Sequence, residues 1–427
     1  KNGSPIVSKG YGMANYELNV PNTSKTVFSI ASITKQFTAM AIMQLQERGK
    51  LNVNDAICKY LENCPPAWQA IMIRQLLTHT SGIPNFSSLP DWDEKLSIQP
   101  YTKTEFVKIF RDLPLQFIPG ENWKYSNSAY YLLGLIIEKA SGENYGDFLK
   151  KNIFAPLGMR QTQLNNPRQL KPNLARGYYW SLNSFVNAPY HDLSSSYSNG
   201  GLLSTTQDLL LWDQALYTEK LVSRKTLDEI FTPVKRDYSY GWIIEKKFNR
   251  NSTGHSGSFN GFSSFILRFP DENLTVIILS NSDEASATKV ANSLAAIVFG
   301  EKYTLPLPKI SDVLAAKIVR KGVASALSSY RELKKNQTDK YDFREQWLDS
   351  LGWDLIENKR ITDAIEIFKL VIQDFPNSAN AYDSLGEAYL ENKQYDLALA
   401  NFKKFLELDA KNEHAKEMIK KVEGILR

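Results

Sequence analysis

The sequence has little of what several functional classes require. Cysteine occurs twice in 427 residues, at Cys58 and Cys64, and histidine occurs four times. Two cysteines cannot build a disulfide scaffold, and the histidines form no HExxH pattern, so a metal site has little support. The sequence leaves open whether the two cysteines pair, as in an exported protein, or remain thiols.

Excess charge and long apolar runs are also missing. The 51 basic and 46 acidic residues leave a formal charge of only +5, with no long basic block, which argues against a nucleic-acid partner. No apolar run reaches the ~18 residues of a membrane span. The chain begins at Lys1 without a signal-like segment, so we expect a mature or trimmed chain whose export signal is not visible. A hydrophobic content of 43% is ordinary for a globular protein with more than one core.

The first 300 residues alternate between helical and strand-like patterns. Apolar periodicity predicts helices over residues 32–48, 128–140 and 206–216. Strands are predicted at 5–7, 262–269 and 274–279, the last two forming a hairpin across a polar turn. We therefore predict an α+β domain whose antiparallel sheet gathers strands from both ends of the region and is flanked by helices.

The last 120 residues read as helix and contain an internal repeat. Asp349-Ser350-Leu351-Gly352 recurs as Asp383-Ser384-Leu385-Gly386, and Phe368 recurs as Phe402, each at an offset of 34 residues. This is the period and residue order of tetratricopeptide repeats. We predict two repeats, at about 343–376 and 377–410, with a capping helix after them. The glycines let paired helices approach, and the phenylalanines fill the space between them.

A Ser-x-x-Lys motif occurs at the start of the first predicted helix. Ser32 and Lys35 lie three residues apart, so both side chains share one helix face. A serine hydroxyl becomes a good nucleophile when a neighbouring base takes its proton. A second copy, Ser286 to Lys289, follows the last strand, where a solvated lysine on a surface helix is the simpler interpretation.

Two further motifs, taken alone, are weak evidence for a catalytic role. Tyr125-Ser126-Asn127 recurs as Tyr197-Ser198-Asn199, and each copy has the composition of a turn or helix cap. The segment from Gly254 to Ser258 (Gly-His-Ser-Gly-Ser) is also turn-like. Small residues there would nevertheless let a substrate backbone lie close to a strand edge.

Taken together, the order and context of these motifs resemble the penicillin-recognising serine hydrolases. The closer similarity is to the branch of class C β-lactamases and D-alanyl-D-alanine carboxypeptidases, and it covers roughly residues 5–300. The similarity also extends to the segments Phe28 to Lys35, Leu76 to Gly82, Phe117 to Gly120, Pro156 to Met159 and Gly200 to Leu202. This context favours Ser32 and Tyr125 over Ser286 and Tyr197, and it makes His79 a structural loop residue.

The resemblance implies a role for each matching residue. Ser32 is expected to form an acyl-enzyme, with Lys35 as a deprotonated base and Tyr125 as a phenolate or proton shuttle. Asn127 is expected to hold the substrate amide. The third motif supplies His255 as a catalytic residue and Ser256, Gly257 and Ser258 as substrate-binding residues. The backbone N–H groups of Ser32 and Ser258 would form the oxyanion hole.

One residue departs from the class C β-lactamase pattern. Those enzymes carry Lys-Thr-Gly where this chain has His255-Ser256-Gly257. Imidazole is a weaker anchor for a carboxylate than an ammonium, and it normally titrates near neutral pH. A histidine at this position is similar to the third motif of D,D-carboxypeptidases and D-amino-acid peptidases. We therefore expect poor β-lactam turnover and a pH dependence of activity near neutrality.

These observations predict a serine hydrolase domain over 1–304, a β-lactamase/transpeptidase-like fold, a helical linker over 305–342 and repeats over 343–427. The expected reaction is acyl transfer from an amide or ester, without cofactor or metal. The expected substrate is a D-amino-acid peptide, a peptidoglycan-like compound or a β-lactam. We expect an exported or envelope location and a protein partner for the repeats. The alternatives are a promiscuous carboxylesterase and a non-catalytic sensor or scaffold.

Overall fold

The structure is a computed structural model and describes residues 1–282 and 286–427. These residues divide into two compact units. The first unit contains residues 1–179 and 187–304, and the helical unit contains residues 180–186 and 305–427. The segment 180–186, which the sequence analysis placed within the hydrolase domain, thus groups with the helical unit.

The strands are short apart from three in the second half of the first unit. They are β1 (Met13–Asn15), β2 (Val20–Pro21), β3 (Phe28–Ser29), β4 (Gln163–Leu164), β5 (Tyr178–Ser181), β6 (Ser184–Asn187), β7 (Leu202–Ser204), β8 (Ile243–Lys247), β9 (Arg250–Phe259), β10 (Phe262–Phe269) and β11 (Leu274–Ser280).

Seventeen helices lie in the described part of the chain. Those before residue 300 are α1 (Thr34–Glu47), α2 (Ile73–Leu77), α3 (Lys103–Arg111), α4 (Asn127–Ser141), α5 (Tyr145–Leu149), α6 (Ala155–Leu157), α7 (Tyr197–Gly200), α8 (Thr206–Ala215), α9 (Arg224–Ile230) and α10 (Ala287–Phe299). The remainder are α11 (Ile310–Lys321), α12 (Val323–Asn336), α13 (Glu345–Glu357), α14 (Ile361–Asp374), α15 (Ala379–Glu391), α16 (Tyr395–Leu408) and α17 (Glu413–Leu426).

The main sheet is antiparallel, with strand order β11-β10-β9-β8. Alternate residues of β10 point to opposite faces, as strand geometry requires. Phe265 and Phe269 pack in a cluster with Ala291 of α10, whereas Ile266 joins the core that contains α1. The predicted hairpin over 262–279 is confirmed, and the mixed fold class is confirmed with it.

Two predictions about the N-terminal strands are wrong. Residues 5–7 form no strand, and the first strand is β1. The main sheet does not gather strands from both ends, because β1 pairs with β2 and β3 pairs with β7. Ile6 and Val7 are mostly exposed, at 63% and 74%, so the apolar run that suggested a strand is not buried against a sheet.

Helix α1 lies at the centre of the first unit. Every residue from Thr34 to Leu45 is buried, including polar Gln36 and Gln44. A helix buried on all sides is rigidly held by its neighbours, which here include α4, α5 and α7. Cys58 and Cys64, left open by the sequence, form a disulfide on the loop after this helix.

The helical unit contains the predicted repeats as two helix pairs, α13 with α14 and α15 with α16, followed by α17. Helices α11 and α12, assigned to a linker, contribute Leu314, Ile318 and Tyr330 to the same apolar core. Within the described part of the chain, no helix combines the length and apolarity that crossing a membrane requires.

The close approach of the repeat helices can be tested at Gly352. A Cβ atom there would lie 2.3 Å from Cε1 of the fully buried Phe368. We expect Gly352→Ala to lower the free energy of unfolding of the helical unit by about 1–3 kcal/mol through overpacking. Urea unfolding followed by circular dichroism measures this change.

Gly424→Ala is the matched control, because no described atom lies within 4 Å of a Cβ built there. That substitution should raise the stability by about 0.5–1 kcal/mol, as alanine does within a helix. A Gly352→Ala protein as stable as the Gly424→Ala protein would contradict the packing described.

Candidate active site

The nucleophile candidate lies on a strained turn that leads into α1. Ala31 to Ile33 form a single 3₁₀ turn, and Ala31 has a left-handed φ of +44°. Such a conformation is costly for alanine and persists only where the surroundings enforce it. Gly257 of β9 packs against this turn, because a Cβ there would lie 2.2 Å from the carbonyl oxygen of Ile30. The strand therefore approaches the backbone next to Ser32 as closely as glycine allows.

Lys35 is wholly buried directly beside Ser32. Its Nζ lies 3.1 Å from Ser32 Oγ, 2.8 Å from Asn127 Oδ1 and 2.7 Å from the carbonyl oxygen of Asn199. No carboxylate of the described residues forms an ion pair with it. Burial without a counter-charge lowers the pKa of Lys35 well below its usual 10.5.

A neutral amine, the form that burial favours, can make the three contacts of Lys35. The oxygens of Asn127 and Asn199 only accept hydrogen bonds, so each takes one N–H. A neutral amine has two N–H groups and one lone pair, and the remaining direction faces Ser32 Oγ. The arrangement thus presents a base to the serine hydroxyl at hydrogen-bond distance, which is the geometry that nucleophile activation requires.

Tyr125 completes the contacts of the nucleophile. Its hydroxyl donates to Ser32 Oγ at 2.9 Å. Burial raises the pKa of Tyr125 above its usual value of 10, although the hydrogen bond with Ser32 opposes this. The phenol is therefore protonated at neutral pH, and of the two roles expected for Tyr125 the geometry favours the proton shuttle over the phenolate.

Asn127 begins α4 and is held from several sides. Ser126 caps the helix by accepting from the N–H of Ala129. The Asn127 side-chain amide accepts from Lys35 and donates to Ser87 Oγ at 3.1 Å, while its backbone N–H donates to Asn85 Oδ1. The side chain expected to hold the substrate amide is thus oriented by Ser87 and Lys35.

His255 is buried and already hydrogen-bonded within the fold. Its Nε2 lies 3.0 Å from Tyr238 Oη, and its Nδ1 lies 2.6 Å from the carbonyl oxygen of Ser256. Because a carbonyl only accepts, Nδ1 carries the proton and Nε2 accepts from Tyr238. Burial, with a contribution from Lys35, lowers the pKa of His255 to about 4. The expectation that this imidazole titrates near neutral pH is therefore wrong.

Ser32, Asn127 and Ser258 line one cavity of about 240 Å³. Lys35, Tyr125 and His255 are not among its lining residues. Ser256 is exposed, and Gly257 packs against Ile30. Much of the remaining wall is aromatic or polar and includes Phe86, Trp92, Asp93, Tyr179, His191 and Phe259.

Two groups of this site were not predicted from the sequence. The second Tyr-Ser-Asn copy does form a short helix, α7, but the carbonyl of its Asn199 also binds Lys35. Its recurrence in the sequence was the available signal. Tyr238, the partner of His255, lies in a loop and carries no sequence signal.

The remaining candidates have structural positions. His79 is a buried loop residue with a φ of +57°, and its Nδ1 accepts from the Ser126 N–H at 3.2 Å, so it supports the loop that carries Tyr125. Ser286 precedes α10, and Lys289 is exposed. The second Ser-x-x-Lys motif therefore lies on a surface helix, as predicted.

Comparisons with known proteins identify the family of each part of the chain. The family model described as Beta-lactamase matches residues 1–298, and the model described as Tetratricopeptide repeat matches residues 349–378. Penicillin-binding protein 4* of Bacillus subtilis (strain 168) is 33% identical over 331 residues, covering 71% of this chain and 72% of that protein.

Two solved structures are similar to the first unit in fold. The octameric penicillin-binding protein homologue from Pyrococcus abyssi has a TM-score of 0.62 and 30% identity, over 71% of this chain and 72% of that one. The D-amino acid amidase from Ochrobactrum anthropi SV3, complexed with D-phenylalanine, has a TM-score of 0.58 and 25% identity, over 68% of this chain and 90% of that one.

The choice between the two Ser-x-x-Lys motifs can be tested directly. Ser32→Ala should abolish covalent labelling by a fluorescent penicillin and hydrolysis of a 4-nitrophenyl ester, because Ser32 contacts the buried amine of Lys35. Ser286→Ala should change neither, since that serine precedes a surface helix. Labelling is read on a denaturing gel and hydrolysis by absorbance. Equal losses in the two variants, or full activity of Ser32→Ala, would remove Ser32 from the mechanism.

Proposed function

Because this chain belongs to the β-lactamase family of serine hydrolases, as its motifs predicted, we propose that it cleaves an amide or ester bond next to a D-amino acid through an acyl-enzyme on Ser32. The observation that carries this proposal is the buried amine of Lys35, which lies 3.1 Å from Ser32 Oγ and forms no ion pair with a carboxylate of the described residues.

The proposed acylation step follows from the contacts of Ser32. Lys35 takes the hydroxyl proton as Ser32 Oγ attacks the substrate carbonyl carbon. The oxyanion that forms is stabilised by the backbone N–H groups of Ser32 and Ser258, two residues that share the cavity wall. Tyr125 donates its proton to the leaving group and regains one from the Lys35 ammonium. Water then hydrolyses the ester bond to Ser32 and restores the enzyme.

The substrate class rests on relatives and on the cavity. Penicillin-binding proteins and a D-amino acid amidase share this fold with the chain. The cavity wall includes Phe86, Trp92 and Phe259, which suit an apolar side chain or ring. We therefore place D-amino-acid amides and peptides first, with peptidoglycan-like peptides and β-lactams as related substrates.

The Cys58–Cys64 disulfide supports an exported or cell-envelope location. Disulfides persist in oxidising compartments and are rare in the cytosol. The bond closes a loop next to the core of the first unit, where Cys58 and Cys64 both pack. The penicillin-binding relatives are consistent with the same location.

The proposed substrate class can be tested with matched enantiomers. We expect the full chain to hydrolyse D-phenylalanine 4-nitroanilide with a kcat/KM at least roughly 10-fold above that for the L enantiomer, because a shaped cavity beside a fixed nucleophile discriminates handedness. Absorbance of 4-nitroaniline measures both rates, and Ser32→Ala supplies the background.

Other results would favour the alternatives. Hydrolysis of 4-nitrophenyl acetate without preference between the anilide enantiomers would indicate a promiscuous carboxylesterase. Neither hydrolysis nor penicillin labelling at Ser32 would indicate a sensor or scaffold that works through its repeats.

The repeats support a second role, the binding of a protein partner. Two helix pairs and a cap form a stack whose apolar core includes α11 and α12. No residue given a catalytic role lies beyond Ser258, so the chemistry should not depend on this stack. Leu182 packs against the same core, so a chain that lacks the helices would leave this side chain without its apolar partners.

A chain ending at residue 308 and carrying Leu182→Ser tests this separation, since the substitution removes an apolar side chain that would lose its partners. We expect a cooperative melting transition and a Ser32 acylation rate close to that of the full chain. A folded variant that acylates roughly tenfold more slowly, about 1.4 kcal/mol in the barrier, would make the helical unit part of the active site instead.

A further inference from the structure

The cavity beside Ser32 is lined by an acidic side chain but by no lysine or arginine of the described residues. Among the described residues that line it, Asp93 is the only aspartate or glutamate. The other titratable lining groups are Tyr179 and His191, and burial lowers the pKa of His191, which favours its neutral form.

Lys35 and His255, which do not line the cavity, do not supply the missing positive charge. Lys35 has its N–H groups directed at Asn127 and Asn199, and burial favours its neutral form. His255 is neutral above pH 4 or so, and both of its ring nitrogens have partners within the fold. A substrate carboxylate in this cavity would therefore lose its water without meeting a cation, which is unfavourable.

Asp93 is placed to meet a cationic group. It belongs to the one-turn segment Trp92–Leu96, in which Trp92 is buried and Asp93 is exposed. Its neighbour Asp91 is paired with Lys95 at 3.5 Å, whereas Asp93 forms no ion pair with a described residue. The carboxylate is thus available at the wall of the cavity.

Aromatic rings line the same cavity as this carboxylate. The ring centroids of Phe86 and Trp92 are 4.7 Å apart, those of Trp92 and His191 are 5.7 Å apart, and those of His191 and Phe259 are 4.8 Å apart. All four side chains line the cavity. A carboxylate beside aromatic faces is a combination that attracts an ammonium group and an apolar side chain.

We propose that this cavity selects substrates that carry a free ammonium group close to the scissile bond, bound by Asp93, and disfavours substrates that carry a carboxylate there. This selection rests on the hydrolase function proposed above and narrows its substrate class. The favoured substrates are amides, esters or peptides with a free amino group near the scissile bond. N-acylated compounds, penicillins included, are expected to react at Ser32 more slowly.

The test is a set of competitors that share D-phenylalanine amide and differ in the group on the α-nitrogen, and therefore in charge. Ser32-dependent hydrolysis of 4-nitrophenyl acetate, with Ser32→Ala as background, reports occupancy of the site. The competitors are D-phenylalanine amide, its N-acetyl derivative and its N-succinyl derivative, which are cationic, neutral and anionic. We expect the inhibition constants to rise in that order, with roughly 10-fold or more between the cationic and neutral compounds.

Variants at Asp93 locate the effect. Asp93→Asn should remove the preference for the cationic compound, and Asp93→Lys should reverse the order toward the succinyl compound. Asp91→Asn is the matched control, because Asp91 lies two residues away, has the same charge and does not line the cavity, and it should preserve the order.

The possible failures are distinguishable. Absence of Ser32-dependent ester hydrolysis would overturn the proposed function itself. Hydrolysis with equal inhibition by the three competitors, or with no inhibition by any of them, would overturn the selection while leaving the hydrolase intact. A preference for the cation that persists in Asp93→Asn would also overturn it, since another group would then be responsible.

Discussion

A lysine amine with no exposed surface lies beneath the nucleophile, and the rest of the site accommodates it. Lys35 has three oxygen neighbours and no carboxylate partner among the described residues. A charged ammonium there would be costly to desolvate, so the fold favours the neutral base. The titratable side chains packed nearby, Tyr125, His79 and His255, are likewise shifted by burial toward their uncharged forms.

The fold holds this amine by fixing its oxygen neighbours from separate elements. Asn127 begins α4, Asn199 lies in α7, and Ser32 precedes α1. Thr38 of α1 donates to the carbonyl of Ser198 at 2.7 Å, which fixes α7 one residue from the carbonyl that Lys35 uses. Three helices packed in one core thus pre-organise the proton acceptor, so that little rearrangement is needed when the serine reacts.

Local patterns in the sequence predicted the parts of this structure that depend on neighbours along the chain. These parts are the spacing of Ser32 and Lys35, the hairpin over 262–279 and the 34-residue repeat. Each is a pattern among residues that follow one another along the chain. The strand predicted at 5–7 failed because pairing depends on a distant partner. The carbonyl of Asn199 and the burial of His255 could not be predicted either, since each arises from contacts between residues remote in sequence.

The state of the Lys35 amine is the central claim, and nuclear magnetic resonance of lysine labelled at Cε and Nζ measures it. The Lys35 signal is assigned by its loss in Lys35→Arg and followed against pH in the full chain. A titration well below the ordinary lysine value of 10.5 is expected, which makes the amine an available base at every pH above that midpoint. A titration at 10.5 or higher would show a charged ammonium beside Ser32 and would contradict the account.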